Sequence, residues 1–423
     1  MKFKRILPGV AALGVAALAL AGCSSGDTQD PNSTNQSGSA SGNAEQVELR
    51  WAMSADSQAE VDVWQNLADR VTKEYPHIKI KLETTAYKDY YNKLTTQAAG
   101  NDLPCIAGLQ AQRVPDVGEL FVPLDDKLTG LVDIEDYEAS IVEGLRKDGD
   151  LLAVPYDLGP YVIFYNVDMF NEAGLDAPEP GWTKEQFLEA AHALTKDGKY
   201  GYAVDGTPDM WLPYVLSIGG NYLDKDGKPD LTNPKVVEGF TFVTDLVTKE
   251  KVAPAPPATG ASNWPADQWR NGNVAMVIDG PWQLINARDN VSFEVGLTTP
   301  PAFDGTSITT MSGTGFGVTA SCANPDEAAQ AISVIIGPES QQYIAEEGRG
   351  FPAYKAAQDY WYEVANVPTA RPAIETALET VDPFRTSPGW NRVNSLLQQY
   401  AVQAFNGQST PEEVLTNVQS QID

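Results

Sequence analysis

The feature that most constrains the fold of this chain is an alternation of strand and helix patterns that begins at residue 47. Val47 to Met53 alternates as a strand does, and apolar residues between Val61 and Tyr75 recur every three or four positions, as on a helix. Ile78 to Leu82 alternates again, and a second helix is expected over about Tyr87 to Ala99. Cys105 to Leu109 then predicts a short buried strand. This order requires right-handed crossovers and a largely parallel sheet.

The same alternation returns later in the chain. Tyr161 to Asn166 and Val274 to Asp279 predict buried strands, and Lys184 to Leu194 predicts a helix. Gly315 to Thr319 predicts another strand, and the stretch after Thr369 has the pattern of continuous helix. For 423 residues, at roughly 150 residues per domain, two α/β units fit this order better than one large sheet.

Composition excludes several classes of protein. The chain has 29 Lys and Arg against 57 Asp and Glu, a formal charge of −28, which would repel the phosphates of nucleic acid. Its two histidines, His77 and His192, and three cysteines, Cys23, Cys105 and Cys322, cannot form a zinc finger or a dense disulfide scaffold. We therefore expect a soluble globular protein that binds no nucleic acid and acts without a metal or other cofactor.

The N-terminus has the pattern of a secretory signal. Three of the first five residues are basic, and residues 6–21 are apolar and end at Gly22-Cys23. The apolar run is shorter than the ~20 residues of a spanning helix, which favours a signal peptide over residues 1–22. Leu20-Ala21-Gly22-Cys23 also resembles the lipobox of bacterial lipoproteins, which implies a lipid on Cys23.

The segment after this cysteine has the composition of a flexible tether. Ser24 to Gln46 contains no aromatic and no large aliphatic residue, so it cannot bury enough surface to fold. Residues 23–46 are therefore expected to link the lipid to a folded domain, with a reach of roughly 25 Å. Since no later segment is long and apolar enough to span a bilayer, we expect the protein at the extracytoplasmic face of the cell membrane, held by lipid alone.

Four segments carry a resemblance to a known family. In chain order they are Asp150–Asp157, Tyr165–Leu175, Gly272–Met276 and Gly280-Pro281-Trp282. In this order behind a lipobox, they resemble the extracellular solute-binding proteins of ABC importers, in particular the group that takes oligosaccharides. The resemblance runs from Val47 to about Tyr354. It departs from the family pattern at Pro104-Cys105-Ile106, where Pro-Asp-Val is usual, and fades after about Ala365.

The resemblance implies an α/β fold of the two-lobed periplasmic-binding-protein type, with mixed sheets flanked by helices and a three-segment hinge. Closure of such lobes traps a ligand in the cleft between them. The implied limits are 47–153 plus 313–362 for the first lobe, 158–310 plus 366–423 for the second, and hinges near 154–157, 311–312 and 363–365.

The same resemblance implies a function. The expected protein is not an enzyme but a monomeric lipoprotein that captures an oligosaccharide and delivers it to the transmembrane permease of an ABC importer. One alternative is a cell-surface glycoside hydrolase, because 57 carboxylates could include a catalytic pair. Another is a binding protein for a non-sugar solute such as a polyamine or a phosphodiester.

Candidate ligand-binding residues follow from the predicted strand ends, since ligands of open α/β sheets lie beyond the carboxyl ends of strands. Asp56 and Asp157 could accept hydrogen bonds from sugar hydroxyls, or could serve as a helix cap or in a loop salt bridge. Gly313 and Thr314 begin a glycine-rich stretch that could let the backbone approach a ligand. The other candidates at these ends are Ser57, Gln112, Tyr156 and Asp279.

Three of the nine tryptophans are further candidates. Trp211, Trp264 and Trp282 lie beside Pro or Gly in predicted loops, where an indole could stack on the C–H face of a sugar. Trp282 is favoured because it belongs to a matching motif and follows the strand that ends at Asp279. The alternative for each is an aromatic side chain that packs in the core of its own lobe.

A disulfide between Cys105 and Cys322 is also expected from the implied fold. In that fold, the strand after the return crossover runs antiparallel beside the third strand, which places both cysteines at one edge of the first lobe. An extracytoplasmic location permits oxidation. The alternative is two buried free thiols.

Overall fold

The computed structural model of the protein describes residues 46–257 and 263–422. The predicted signal peptide, Cys23 and all of the tether except Gln46 lie outside the described residues. Within those residues, no helix has the length and apolar character needed to cross a membrane.

The strands and helices alternate along most of the chain. In chain order the strands are β1 (Val47–Ser54), β2 (Ile78–Thr85), β3 (Ile106–Gln110), β4 (Arg146–Lys147), β5 (Asp150–Leu151), β6 (Val154–Pro155), β7 (Gly159–Pro160), β8 (Val162–Asn166), β9 (Tyr200–Ala203), β10 (Val274–Asp279), β11 (Val295–Thr298), β12 (Thr310–Ser312), β13 (Thr314–Val318) and β14 (Asp382–Pro383). The α-helices are α1 (Gln58–Glu74), α2 (Tyr87–Ala99), α3 (Val114–Val117), α4 (Ala139–Gly144), α5 (Val167–Ala173), α6 (Lys184–Leu194), α7 (Leu212–Ser217), α8 (Pro234–Thr248), α9 (Trp264–Arg270), α10 (Leu284–Asn290), α11 (Pro325–Ile335), α12 (Pro338–Glu346), α13 (Gln358–Ala365), α14 (Ala370–Glu379), α15 (Trp390–Phe405) and α16 (Pro411–Ile422).

Five strands form the sheet of the first lobe, in the order β2-β1-β3-β13-β6. β1 runs parallel to β2 and β3, which confirms the parallel start predicted from the alternation. β13 runs antiparallel to β3 and β6, so the complete sheet is mixed. Helix α1 covers this sheet with a stripe of buried residues at spacings of three and four, which are Val63, Trp64, Leu67, Ala68 and Val71.

Four strands form the sheet of the second lobe, in the order β11-β8-β10-β9. β8 is antiparallel to β10 and β11, whereas β9 and β10 are parallel. Side chains alternate across β8, so Val162 and Phe164 enter one apolar layer while Ile163 and Tyr165 enter the other. Burial on both faces explains why this strand is a continuous apolar run.

Three short strands pair at the junction of the lobes, in the order β14-β12-β7. The predicted hinge at 311–312 lies within β12, and the one at 154–157 includes β6 and precedes β7. Residues 363–365 end helix α13, which packs on α12 of the first lobe. The next helix, α14, packs on β11 of the second lobe. The structure is thus two-lobed, with mixed sheets flanked by helices.

The prediction of continuous helix after Thr369 is wrong. Helix α14 ends at Glu379, and the chain then enters β14 because the backbone N–H of Asp382 donates to the carbonyl of Thr309 at 2.9 Å. Pro383 has no N–H to continue a helix, and Gly389 has a φ of +82°. The apolar spacing on both sides of this break conceals it.

Cys105 and Cys322, the predicted pair, form a disulfide in the structure, with Cα atoms 4.5 Å apart. Cys105 precedes β3 and Cys322 follows β13. The antiparallel pairing of these strands brings the two ends together, and the backbone N–H of Thr319 donates to the carbonyl of Cys105 at 3.0 Å. The disulfide therefore ties an early strand of the first lobe to a late one.

Candidate ligand-binding site

A cavity of about 380 Å³, which we call the interlobe cavity, lies between the two lobes. The first lobe contributes Tyr87 at the start of α2, and Gln112 and Arg113 just after β3. The second lobe contributes the loop 205–209 after β9 and the start of α9 at Trp264. Helix α15 and the segment before it also line the cavity. Further lining residues precede α9, namely Pro256, Pro257 and Asn263. Two of the predicted ligand residues, Gln112 and Trp264, thus line one cavity.

Aromatic rings cover part of the cavity wall. Tyr87 is 45% exposed, and Trp264 is half-buried and makes no ring-to-ring contact among the described residues. Trp390 differs, since it is buried and packs on Phe384 with ring centroids 5.9 Å apart. Tyr87 and Trp264 therefore offer ring surface to a ligand, whereas Trp390 and Phe384 mainly shape the wall.

Two carboxylates of the loop 205–209 also line the cavity. Burial raises the pKa of the Asp209 carboxyl to about 6, although a hydrogen bond from the Tyr161 hydroxyl and the charge of Arg113 act in the opposite direction. Burial also raises the pKa of Asp205, whose Oδ1 accepts a hydrogen bond from the backbone N–H of Thr207 at 2.8 Å. Both groups are thus partly desolvated acceptors.

Donors lie opposite these carboxylates. The guanidinium of Arg113 stacks over the ring of Tyr91 at 5.1 Å, and its buried Nε has no hydrogen-bond partner among the described residues. The side-chain amide of Gln112 donates to Ser312 Oγ at 3.0 Å. Helix α15 adds amides at spacings of three and four, so they share one face, namely Asn391, Asn394 and Gln398.

The cavity wall can therefore offer flat apolar faces, hydrogen-bond acceptors and hydrogen-bond donors at once. Within the residues that the structure describes, no three or more His, Cys, Asp or Glu side chains are arranged to hold a metal ion.

Two further predicted residues, Asp279 and Trp282, adjoin the cavity without lining it. Trp282 packs edge-to-face on Tyr161 with ring centroids 5.4 Å apart. A Cβ added at Gly159 would lie 2.7 Å from the Trp282 ring, so the indole fits closely against β7. Burial raises the pKa of Asp279 to about 6, and its Oδ1 accepts from the N–H of Gly280 at 2.8 Å. Trp282 is half-buried, and its stacking on a ligand stays a prediction.

Asp56 and Ser57 act as local caps in this structure. Ser57 Oγ accepts from the backbone N–H of Glu60 at 3.2 Å and so caps α1. Asp56 Oδ1 accepts from the N–H of Tyr87 at the start of α2 at 3.0 Å. Both residues are exposed, and neither lines the interlobe cavity.

Tyr156 and Asp157, within the predicted hinge at 154–157, meet Gly313 and Thr314 outside the cavity lining. Asp157 Oδ1 accepts from the backbone N–H of Thr314 at 2.7 Å, and burial raises the pKa of Asp157 to about 6 against the charge of Arg349. Tyr156 stacks on the ring of Phe316 in the core of the first lobe, with ring centroids 5.1 Å apart. A Cβ at Gly313 would lie 2.8 Å from the carbonyl oxygen of Asp157, so this glycine permits a close approach within the protein itself.

Trp211 lies in the core of the second lobe. Its side chain is 0% exposed and packs on Phe240 with ring centroids 5.1 Å apart. In this conformation it has no surface to offer a ligand.

The sequence alone did not suggest Tyr87, Arg113, Asp205, Asp209 or the face of α15. Arg113 follows Gln112, so the rule that selected Gln112 at a strand end could have reached it. The polar positions of α15 are spaced as one face of a helix, but they lie in the tail where the family resemblance fades. Nothing local distinguishes them from a solvated helix face.

Comparison with known proteins assigns the family. The model of the bacterial extracellular solute-binding protein family matches residues 55–342, which is more than half of the chain. The chain belongs to this family. The matched segment of this solute-binding protein includes most of both sheets and the cavity residues from Tyr87 to Trp264.

Two relatives and one solved structure illustrate which proteins this chain is similar to. An arabinooligosaccharide-binding protein of Halalkalibacterium halodurans is 24% identical over 242 residues, 55% of this chain and 53% of the relative. A lactose-binding protein of Rhizobium radiobacter is 22% identical over 353 residues, 77% and 83% of the two chains. The structure of the ABC substrate-binding protein Lmo0181 from Listeria monocytogenes in complex with cycloalternan superposes with a TM-score of 0.80, at 23% identity, over 89% of this chain and 98% of that one. The two chains share a fold.

Proposed function

We propose that this solute-binding protein captures an oligosaccharide in the interlobe cavity and delivers it to the transmembrane permease of an ABC importer. The observation that carries the proposal is the composition of the cavity wall. Ring surface on Tyr87 and Trp264 lies in the same cavity as the carboxylates of Asp205 and Asp209 and the guanidinium of Arg113.

A sugar is the solute whose chemistry fits this combination. One face of a sugar ring presents C–H groups that stack on an aromatic face. Its rim of hydroxyls donates to carboxylates and accepts from arginine and amides, and hydrogen bonds to charged groups are the stronger ones. A volume of about 380 Å³ lies within the ~300–1,000 Å³ range of small-molecule sites.

The relatives support the same ligand class. Two are described as binding proteins for arabinooligosaccharide and lactose, and the structural neighbour Lmo0181 holds cycloalternan. Gln112 and Trp264 are the two predicted residues that line the cavity, and we propose that both contact the ligand. We also propose the lobe limits given above, 47–153 plus 313–362 and 158–310 plus 366–423.

The proposed location is the extracytoplasmic face of the cell membrane, with a monomer anchored by lipid on Cys23. A Cys23→Ala precursor cannot accept that lipid, so we expect it to leave the membrane fraction or to remain unprocessed. A variant that stays tightly membrane-bound at high salt would contradict the lipoprotein assignment.

The test of ligand class is a thermal-shift screen of the full chain against oligosaccharides, a polyamine and a phosphodiester. A ligand that binds the native state stabilises it by mass action, by about 2.7 kcal/mol at 100 times its Kd. The midpoint temperature of unfolding rises as a result. A shift with an oligosaccharide recovered intact supports the proposal. A shift with the polyamine or phosphodiester alone would indicate a non-sugar solute, and release of cleavage products would indicate a glycoside hydrolase.

A further inference from the structure

The segment that follows β14 contacts both lobes. We call residues 384–391 the arm. On one side of the arm, Phe384 and Trp390 pack around Tyr222 in the core of the second lobe, with ring centroids 6.2 and 5.5 Å from the tyrosine. The arm also supplies Phe384, Trp390 and Asn391 to the interlobe cavity. Its position therefore sets part of the cavity wall.

On the other side of the arm, two hydrogen bonds reach the first lobe. Thr386 Oγ1 donates to the carbonyl of Gln112 at 2.6 Å, and the backbone N–H of Gly389 donates to Asp116 Oδ1 at 2.7 Å. Gln112 and Asp116 lie on either side of Val114, whose side chain is buried in the first-lobe core. These hydrogen bonds thus join the arm to the first lobe, while the apolar contacts of the arm hold it to the second.

Asp116 binds the N-terminus of α15. Gly389, the N-cap residue, has no side chain to accept from the first turn of the helix, and its own backbone N–H donates to Asp116, 273 positions away in sequence. A carboxylate at this end also interacts favourably with the helix dipole. Asp116 does not line the cavity, so it acts on the cavity only through α15 and the arm.

We propose that Asp116 is a positioning residue for the interlobe cavity, and that its bond to Gly389, with the Thr386–Gln112 bond, forms a latch between the lobes. When the latch is closed, the first turn of α15 and its cavity residues are fixed relative to Gln112 and Arg113. When it is open, the lobes are freer to separate. The effect on ligand release rests on the proposed function, whereas the effect on lobe separation does not.

The first test needs no ligand. Donor and acceptor dyes at Lys81→Cys in β2 and Lys199→Cys before β9 report the distance between lobes in the full chain, because both positions are exposed. We expect Asp116→Ala to shift the distance distribution toward separated lobes. Asp116→Asn keeps an oxygen acceptor and should retain the wild-type distribution. Asp126→Ala is the matched control, since it removes an exposed first-lobe carboxylate that makes no hydrogen bond or ion pair among the described residues.

The second test uses an oligosaccharide found by the thermal-shift screen. We expect Asp116→Ala to raise the dissociation rate about tenfold, as loss of one hydrogen bond to a charged group would, with the association rate nearly unchanged. Thr386→Val keeps the shape of a buried side chain but removes its hydroxyl, and it should raise the dissociation rate in the same direction.

Unchanged lobe distances in both Asp116→Ala and Thr386→Val would overturn the latch. Equal changes in Asp116→Asn and Asp116→Ala would overturn it as well, because the acceptor would then not matter. If no oligosaccharide binds at all, the proposed function fails, and the distance measurement still decides for or against the latch.

Discussion

The two walls of the interlobe cavity differ in what they contribute. The first-lobe wall consists of Tyr87, Gln112 and Arg113, which are few and lie at the ends of elements. The second-lobe wall carries the loop 205–209, Trp264 and one face of α15. Most of the contact surface thus belongs to the second lobe. We infer that a ligand associates first with the second lobe and that the first lobe closes over it.

The largest effects are expected from two tryptophans of the second lobe, Trp211 in its core and Trp264 in the cavity wall. Trp211→Ala should lower the free energy of unfolding by about 3–5 kcal/mol, because it empties a fully buried site. Trp264→Ala should lower affinity by about 2 kcal/mol or more, roughly 30-fold, with little change in stability. Denaturant melting of the apo protein and calorimetric titration measure the two quantities.

Trp282→Ala, measured in the same two ways, decides the role of the third tryptophan. If Trp282 stacks on a sugar, we expect its loss to cost about 2 kcal/mol or more of affinity and little apo stability. Unchanged affinity, or a loss of stability large enough to explain weaker binding, would show instead that the indole only packs against Tyr161 and β7.

A smaller effect should follow from Asp209 and depend on pH. Burial raises its pKa to about 6 from its usual 3.8, so between these values the folded protein holds a proton that the unfolded chain has released. Stability from this group therefore falls as pH rises through that window. Ligand affinity should do the opposite and rise with pH through 6, because the carboxylate accepts stronger hydrogen bonds from hydroxyls than the neutral acid does.

Asp209→Asn tests this assignment against the wild type. The variant should be at least as stable at pH 7, bind more weakly there, and lose part of the dependence of affinity on pH near 6. Asp157 keeps its raised pKa in both proteins, because burial and not Asp209 raises it. Besides burial, the charge of Asp209 helps to raise the pKa of Asp279, and the charge of Asp205 helps to raise that of Asp209, so the profiles of Asp279→Asn and Asp205→Asn are the controls that separate the three carboxyls. Identical profiles of Asp209→Asn and the wild type would show that the Asp209 carboxylate does not meet the ligand.

The smallest effect is expected in the first-lobe wall. Tyr87 is 45% exposed and its hydroxyl already donates to Gln110 Oε1 at 3.2 Å, so Tyr87→Ala should weaken binding by about 1 kcal/mol, less than Trp264→Ala. If the first lobe closes after capture, the loss should lie mainly in the dissociation rate, measured by stopped-flow fluorescence. A loss of affinity larger than that of Trp264→Ala would contradict the inference that the ligand associates first with the second lobe.

Local sequence patterns predicted most of the helices and strands that form the fold. Predicted helices over Tyr87–Ala99 and Lys184–Leu194 and the predicted strand over Val274–Asp279 have the same limits in the structure. Each is bounded by a glycine, a cap or a turn next to a strict apolar period. The break at residues 380–389 was not predictable in this way, because β14 forms through hydrogen bonds to a strand that lies far away in sequence.

The site was less accessible from sequence than the fold. The rule on strand ends identified Gln112. The rule on tryptophans beside proline in predicted loops identified Trp264, which the structure places at the start of α9. Asp209 and the polar face of α15 reach the cavity only because the lobes face each other, a relation that no local pattern encodes. Trp211 shows the converse, since its proline-flanked position resembles a loop but is covered by α8 in the folded lobe.

The position of β13 in the first sheet has a consequence for biosynthesis. β3 pairs with β13, yet the whole second-lobe sheet is encoded between them. A nascent chain that has emerged only as far as Ser312 therefore presents β3 with one open edge, a surface prone to pairing with other chains. The segment that carries the second-lobe sheet must therefore loop out before the first-lobe sheet is closed. Truncation just before Thr314 should consequently yield a fragment that aggregates, because the first-lobe sheet lacks β13.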